Sequence, residues 1–162
     1  MFDARIKNED AGLMTIGYEG ADLGDFIETL IVAGVRSLID VRELPLSRKK
    51  GFSKKALCDA VEAAGMSYTH VRQLGDPKPG RDAAKSGNFQ EFRRIFGAHI
   101  QDPESRKALK ELVPLVSEGG ACLLCFERSH TDCHRSIVAD ELCKLARVRL
   151  SHIGVRPGIA GK

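Results

Sequence analysis

What the chain lacks narrows its possibilities first. No apolar run approaches the roughly 18 residues a membrane-spanning helix needs, so no membrane partner is expected. Met1 to Asp10 mixes charges and has no apolar stretch of the kind that drives secretion. Cysteines are few and odd in number, five scattered over predicted helices and strands, which argues against a secreted disulfide framework. A reduced, cytoplasmic setting is the expectation. An excess of one charge is missing as well. The 25 Lys and Arg against 22 Asp and Glu leave a formal charge of +3, too mild by itself to argue for nucleic acid. Neither an internal repeat nor a compositional break marks a second domain.

What is present suits one globular domain over 1–162, with a core over about 13–153 and a loose tail over 154–162: 162 residues, 43% hydrophobic and 29% charged. Leu13 to Tyr18 reads as a strand, and Asp22 can cap a helix carrying Leu23, Phe26, Ile27, Leu30 and Ile31 that stops at Gly34. Ser37 to Val41 is a second strand. Ser53 caps a second helix, with Phe52 and Leu57 in staple positions and Gly65 past its end. Met66 to Val71 is a third strand, and residues 73–88 read as a long loop or flap. Phe89, Phe92, Phe96 and Ile100 form a helical core stripe. Asp102-Pro103 opens a further helix that Pro114 should kink or split. Ala121 to Phe126 is a buried strand, followed by a helix capped by Thr131 or Asp132, and Arg149 to Ile153 is a last strand. This alternation predicts an α/β domain with a mostly parallel sheet of about five strands.

The chemistry gathers at the predicted carboxyl ends of the strands, where parallel sheets bind ligands. They end in Tyr18 and Glu19, in Asp40 and Arg42, in His70 and Arg72, and in Cys125 and Glu127. Glu127 follows the apolar run that ends at Phe126, so its carboxylate must be paired, solvated in a cleft, or raised in pKa. Cys133, His134 and Arg135 open a helix, where the dipole lowers a thiol pKa and an Arg can grip an oxyanion. Alternatively, Cys133 packs under the loop while Arg135 pairs with Glu127 or Asp40. Five cations in eight residues, Arg48 to Lys55, are either a solvated face or an anion contact.

Spacing weighs against three other readings. Cys122 and Cys125 lie three apart in a strand and so face opposite sides, unlike a redox pair at a helix N-terminus. Cys125, His130, Cys133 and His134 are irregular for zinc and lack a second paired half, so zinc stays a minority reading and neither a metal nor a cofactor is expected. The position six beyond Cys125 is Thr131, not the Arg of a cysteine-phosphate loop.

Thr15-Ile-Gly17, Asp40-Val-Arg42 with Pro45, Phe52-Ser53, Tyr68, Leu74-Gly75, Cys125-x-Glu127, Cys133-His-Arg135 and His152-Ile153 together resemble the domain-of-unknown-function 488 family (DUF488). The chain departs from that pattern in carrying Tyr18 where a His is common. The resemblance implies a three-layer, Rossmann-like α/β domain. It also implies a shared polar pocket at Asp40, Arg42, Cys125, Glu127, Cys133, His134 and Arg135, and a link to nucleic-acid repair or modification. The candidate catalytic residues are Asp40, Glu127, Cys125 and Cys133. The candidate substrate-binding residues are Tyr18, Arg42, Arg48, Lys54, His134 and Arg135. The expected function is an enzyme acting on an anionic small molecule, nucleotide-like, or on nucleic acid. The rivals are a non-catalytic nucleic-acid-binding or lesion-recognition module, and a thiol-dependent redox or sulfur-transfer protein.

Overall fold

The computed structural model describes residues 12–161; residues 1–11 and Lys162 lie outside it, with the expectations that fall on them. Five strands form one sheet: β1 (Gly12–Gly17), β2 (Ser37–Asp40), β3 (Ser67–His70), β4 (Ala121–Cys125) and β5 (Arg149–His152). All pair in parallel, in the order β3-β2-β4-β1-β5. Every residue of β4 is buried, because the strand is central and covered on both faces. Its side chains alternate between two cores. Leu123 joins Leu13 and Ile39 on one face, whereas Cys122 and Leu124 join Ile16 and Leu38 on the other.

Helices α1 (Leu23–Val32) and α2 (Lys54–Ala63) cover the second of these faces through Phe26, Leu30, Leu57 and Val61. Helices α3 (Lys78–Lys85), α4 (Phe89–Gln101), α5 (Pro103–Ser117) and α6 (His134–Ala146) cover the first. The result is the expected three-layer, Rossmann-like α/β fold, with a sheet that is wholly parallel. Among the described residues, no helix is long and apolar enough to cross a membrane.

Several local expectations hold for the stated reason. The Asp22 carboxylate accepts the Asp25 amide at 2.8 Å, and Asp102 accepts that of Glu104 at 3.1 Å. Phe92, Phe96 and Ile100 are buried in the core. Other expectations need correction. Residues 73–88 are no open flap: a 3₁₀ turn, Arg72–Leu74, leads into α3, whose Pro79 sits in the first turn where a missing N–H costs nothing. Ser53 precedes α2 as its cap position, but its hydroxyl bonds the backbone of Ser47 instead. Helix α5 runs unbroken through Pro114, which falls near its end. Cys133, not Thr131 or Asp132, is the cap of α6, because residues 130–132 form a 3₁₀ turn of their own. The segment after β5 is docked rather than loose. Val155 is buried, the Arg156 amide donates to Thr29 Oγ1, and the Gly158 and Ala160 amides donate to Asp25.

Strand order decides where a crevice opens. The chain leaves β1 and β2 toward α1 and α2, but leaves β4 toward α6 on the opposite face. Since β4 lies between β1 and β2, the connections part at its carboxyl end. The exit from β4 then crosses directly over Gly17. A Cβ there would stand 1.7 Å from the Glu127 carbonyl oxygen, so only glycine fits. Gly17→Ala is therefore expected to lower stability by about 1–3 kcal/mol or more. The readout is a lower urea midpoint, and an unchanged midpoint would refute this close approach.

Candidate functional site

At this carboxyl-end crevice lies a cavity of about 680 Å³. Its floor and inner wall include Tyr18, Arg42, Cys125, Glu127 and His134, and its outer parts include Arg48, Lys49, Arg81 and Lys85. Leu44, Leu46, Phe89, Phe92 and Phe126 supply apolar surface. Of the sequence-derived candidates, Tyr18, Arg42, Arg48, Cys125, Glu127 and His134 thus share one cavity. Asp40, Cys133 and Arg135 stand behind its wall, fully or almost fully buried. Lys54 is apart from it, exposed at the start of α2.

Asp40 and Arg42 lie two residues apart at the end of β2 and hold each other. The Arg42 Nε and Nη2 donate to the two carboxylate oxygens of Asp40 at 2.9 and 2.7 Å. Burial works against the Arg42 charge, but the hydrogen bond and charge of Asp40 outweigh it and raise the guanidinium pKa. Arg42 Nη1 also donates to the Phe52 carbonyl at 2.7 Å and to the Tyr18 hydroxyl at 3.3 Å. The Tyr68 hydroxyl donates to Asp40 as well, and burial followed by that bond pushes its pKa up. Asp40 is thus an acceptor saturated by protein donors, and it braces the wall from behind. Asp40→Asn would leave a buried guanidinium without its counter-charge, at a cost of about 3–5 kcal/mol in unfolding free energy. A loss below about 1 kcal/mol by chemical denaturation would refute this bracing role.

Arg135, 1% exposed, points back from the first turn of α6 under the β4 exit. Its Nε donates to Thr15 Oγ1 at 3.1 Å, Nη1 to Cys125 Sγ at 3.0 Å and to the Glu127 carbonyl, and Nη2 to the Arg128 carbonyl at 3.2 Å. Burial lowers its pKa, and the charge of Glu127 works in the opposite direction. The guanidinium thus holds a hydroxyl, a sulfur and two loop carbonyls, with the Glu127 charge acting on it as well.

The sulfurs of Cys125 and Cys133 meet as a disulfide that spans the loop between β4 and α6, a pairing the odd, scattered cysteines did not announce. His134 stands beside them. Its Nε2 faces the Val41 carbonyl at 2.6 Å and must carry the proton, since a carbonyl only accepts. Burial drives its pKa down to about 4, so the ring is neutral and Nδ1 presents a lone pair 3.7 Å from Cys133 Sγ. The Arg135 amide points at the same sulfur, 3.4 Å away. Cys125, Glu127 and Cys133 bring three potential metal-ligand atoms within 4.8 Å of one another. The Cys/His set considered in the sequence is not assembled: His130 stacks on His152 at 3.6 Å, and His134 uses Nε2 on a carbonyl.

Sequence reasoning missed Asp76. It sits in the cavity wall 5% exposed, and its Oδ1 is a buried atom without a hydrogen-bond partner. Burial raises its pKa to about 7, opposed by Arg81 and reinforced by Glu127 and Glu43. The carboxyl lies against Gly80, where a Cβ would stand 2.0 Å from Oδ1. The one local hint was an acid directly before Pro77, and that pattern reads equally well as a turn. The unfolded chain releases this proton near the ordinary carboxylate pKa, whereas the folded chain keeps it to about 7. Its contribution to stability is complete at acid pH and is lost as pH rises through about 7. Asp76→Asn, which cannot ionise, should leave the melting temperature near wild type at pH 4 and raise it at pH 8. Equal shifts at both values would refute the buried-carboxyl assignment.

No curated protein and no solved structure matches the chain. A family model, domain of unknown function DUF488, matches residues 22–142, most of the length and both motif clusters around Asp40 and Cys133. The chain belongs to the DUF488 family.

Proposed function

We propose that the protein is an enzyme whose substrate joins an anionic group to a planar or apolar one, as a nucleotide or a splayed-out nucleic-acid base does. The observation that carries this reading is the divided lining of the cavity. Arg48 and Lys49 follow β2, and Lys85 ends α3; none appears in an ion pair among the described residues, and all three border the opening. They can meet phosphate oxygens, which Arg42 and Arg81 cannot do as readily, being bound to Asp40 and Glu43. Phe126 is half exposed and edge-on to Tyr18, whose ring stacks on Phe52. This backed aromatic column offers a planar ligand a rigid surface. A volume of about 680 Å³ is ample for a nucleotide-sized ligand.

The acid/base groups would be Glu127 and Asp76, two carboxyls in one wall with different surroundings. A carboxyl that keeps its proton to about 7 is suited to donate it, and a second carboxyl in the same wall is placed to complete the pair. Arg135 and Asp40 act as positioning residues. A second reading, thiol-dependent redox or sulfur transfer, is favoured by the Cys125–Cys133 disulfide, with Cys125 on the cavity wall.

The test is calorimetric titration of nucleoside monophosphates and short single-stranded oligonucleotides across a salt series. Wild type should bind with affinity that falls as salt rises. The Arg48→Glu/Lys85→Glu double variant should lose at least about tenfold. No binding, or binding indifferent to the double substitution, would overturn the anionic-substrate reading. Glu127→Gln should retain ligand but abolish its conversion, followed by chromatography of the products. Retained conversion removes Glu127 as the acid/base. A wild-type protein that binds and never converts its ligand supports the non-catalytic module instead.

A further inference from the structure

Cys125, Glu127 and Cys133 come from two elements and the loop between them, yet their side chains converge on one point beneath the cavity. We infer that, with the two cysteines reduced, these three side chains form a binding site for a thiophilic divalent cation, of which zinc is the best match. Four observations carry the inference. The three ligand atoms lie within 4.8 Å of one another. The Cys125 Sγ to Glu127 Oε2 separation is 3.4 Å, close to the edge of about 3.5 Å that bonds of about 2.3 Å to sulfur and 2.0 Å to oxygen define in a tetrahedron. The Cα atoms of the two cysteines stand 7.5 Å apart, wider than the span of about 4.4–6.8 Å usual for disulfides. Thiolates that flank an ion rather than bond each other require that extra width.

The surroundings supply the fourth observation, which is electrostatic. Two thiolates and a carboxylate carry three negative charges, and the Arg135 guanidinium touching Cys125 supplies one positive. A divalent cation closes the balance. Arg135 Nη1 and the Arg135 amide donate to the two sulfurs at 3.0 and 3.4 Å, the N–H···S contacts that orient thiolate ligands. Cys125 and Glu127 both line the cavity, and three protein ligands leave one tetrahedral position, so that position opens toward the substrate space. This is the arrangement of catalytic rather than structural zinc. In the same wall the buried Asp76 Oδ1 has no protein partner.

The disulfide and the metal are alternative uses of the same sulfurs. In vitro, a phosphine gives up two electrons and becomes its oxide while water supplies the oxygen and two protons, so the bond opens to two thiols. Metal binding then releases their two protons. Loading with zinc should therefore protect the pair from oxidation.

The experiment takes full-length protein, reduced and freed of metal, and titrates it with Co²⁺ and Zn²⁺ in the absence of any nucleotide. The expected result is one equivalent of Co²⁺ with a thiolate-to-cobalt charge-transfer band, displaced by Zn²⁺. Zinc should also shield two thiols from alkylation, with Cys58, Cys122 and Cys143 labelling as before. Cys125→Ser and Cys133→Ser should each abolish the band. Glu127→Gln, which keeps both sulfurs and so guards against a misfolded cysteine variant, should weaken binding at least about tenfold, comparable with the effect of losing a ligand-orienting group. Absence of micromolar binding, cobalt bound without the thiolate band, or unchanged affinity in Cys125→Ser would each overturn the site. Such a failure leaves the anionic-substrate reading intact, since that reading is tested by salt-dependent nucleotide binding.

Discussion

The buried guanidinium of Arg135 is the contact on which the site depends. It belongs to α6, yet its donors reach Thr15 in β1, the sulfur at the end of β4, and two carbonyls of the loop that leaves β4. Removing such a charge from water costs several kcal/mol, and bonds from a charged donor contribute about 1.5–3 kcal/mol each only if their acceptors are in place. Arg135 is therefore tolerated in one arrangement of loop and strands. That arrangement presses the Glu127 carbonyl against Gly17 and turns Cys125 and Glu127 toward the cavity. Packing around the β4 exit follows from satisfying one costly cation.

A second buried cation does the same work on the other side of β4. Arg42 is fixed by Asp40, by Tyr18 and by the Phe52 carbonyl, so the end of β2, the end of β1 and the approach to α2 are held at one point. The two arginines thus bracket the central strand. Asp40, a catalytic candidate in the sequence, and Arg135, a substrate-binding one, are both buried and bonded to protein groups in the wall. The groups left facing the ligand space are Glu127, Cys125 and Asp76, together with the lysines and arginine of the rim. A rigid wall behind a small reactive set is the usual way to hold groups within reach of a substrate.

The lining also changes in character along the depth of the cavity. Cations and an exposed aromatic face lie near the opening, where solvent screens charge and ligands exchange. Sulfur, carboxylate and Asp76, whose pKa burial raises, lie deeper, where burial strengthens every electrostatic term. A cation bound between Cys125, Glu127 and Cys133 would sit at the junction of these zones, and the redox state of the two sulfurs would control its access.

Much of the fold was legible because it rests on local rules. Strands of continuous apolar residues, caps at Asp22 and Asp102, and glycines after α1 and α2 are properties of neighbours in sequence. The convergence of Asp40, Cys125, Glu127 and Arg135 near one crevice was also readable, since parallel strands gather their carboxyl ends on one edge. Helix α3 was not, because two prolines and a glycine within Pro77 to Gly80 mimic a loop, whereas in the fold Ala83 and Ala84 pack the segment against the core. Asp76 was invisible for a related reason: whether a carboxyl before a proline is solvated or entombed depends on what packs over it. The sequence by itself determined which residues can carry charge, sulfur and protons at the strand ends. Tertiary structure alone decided which of them are consumed by one another and which face the cavity, because partners such as Arg135 and Thr15 stand 120 residues apart in the chain.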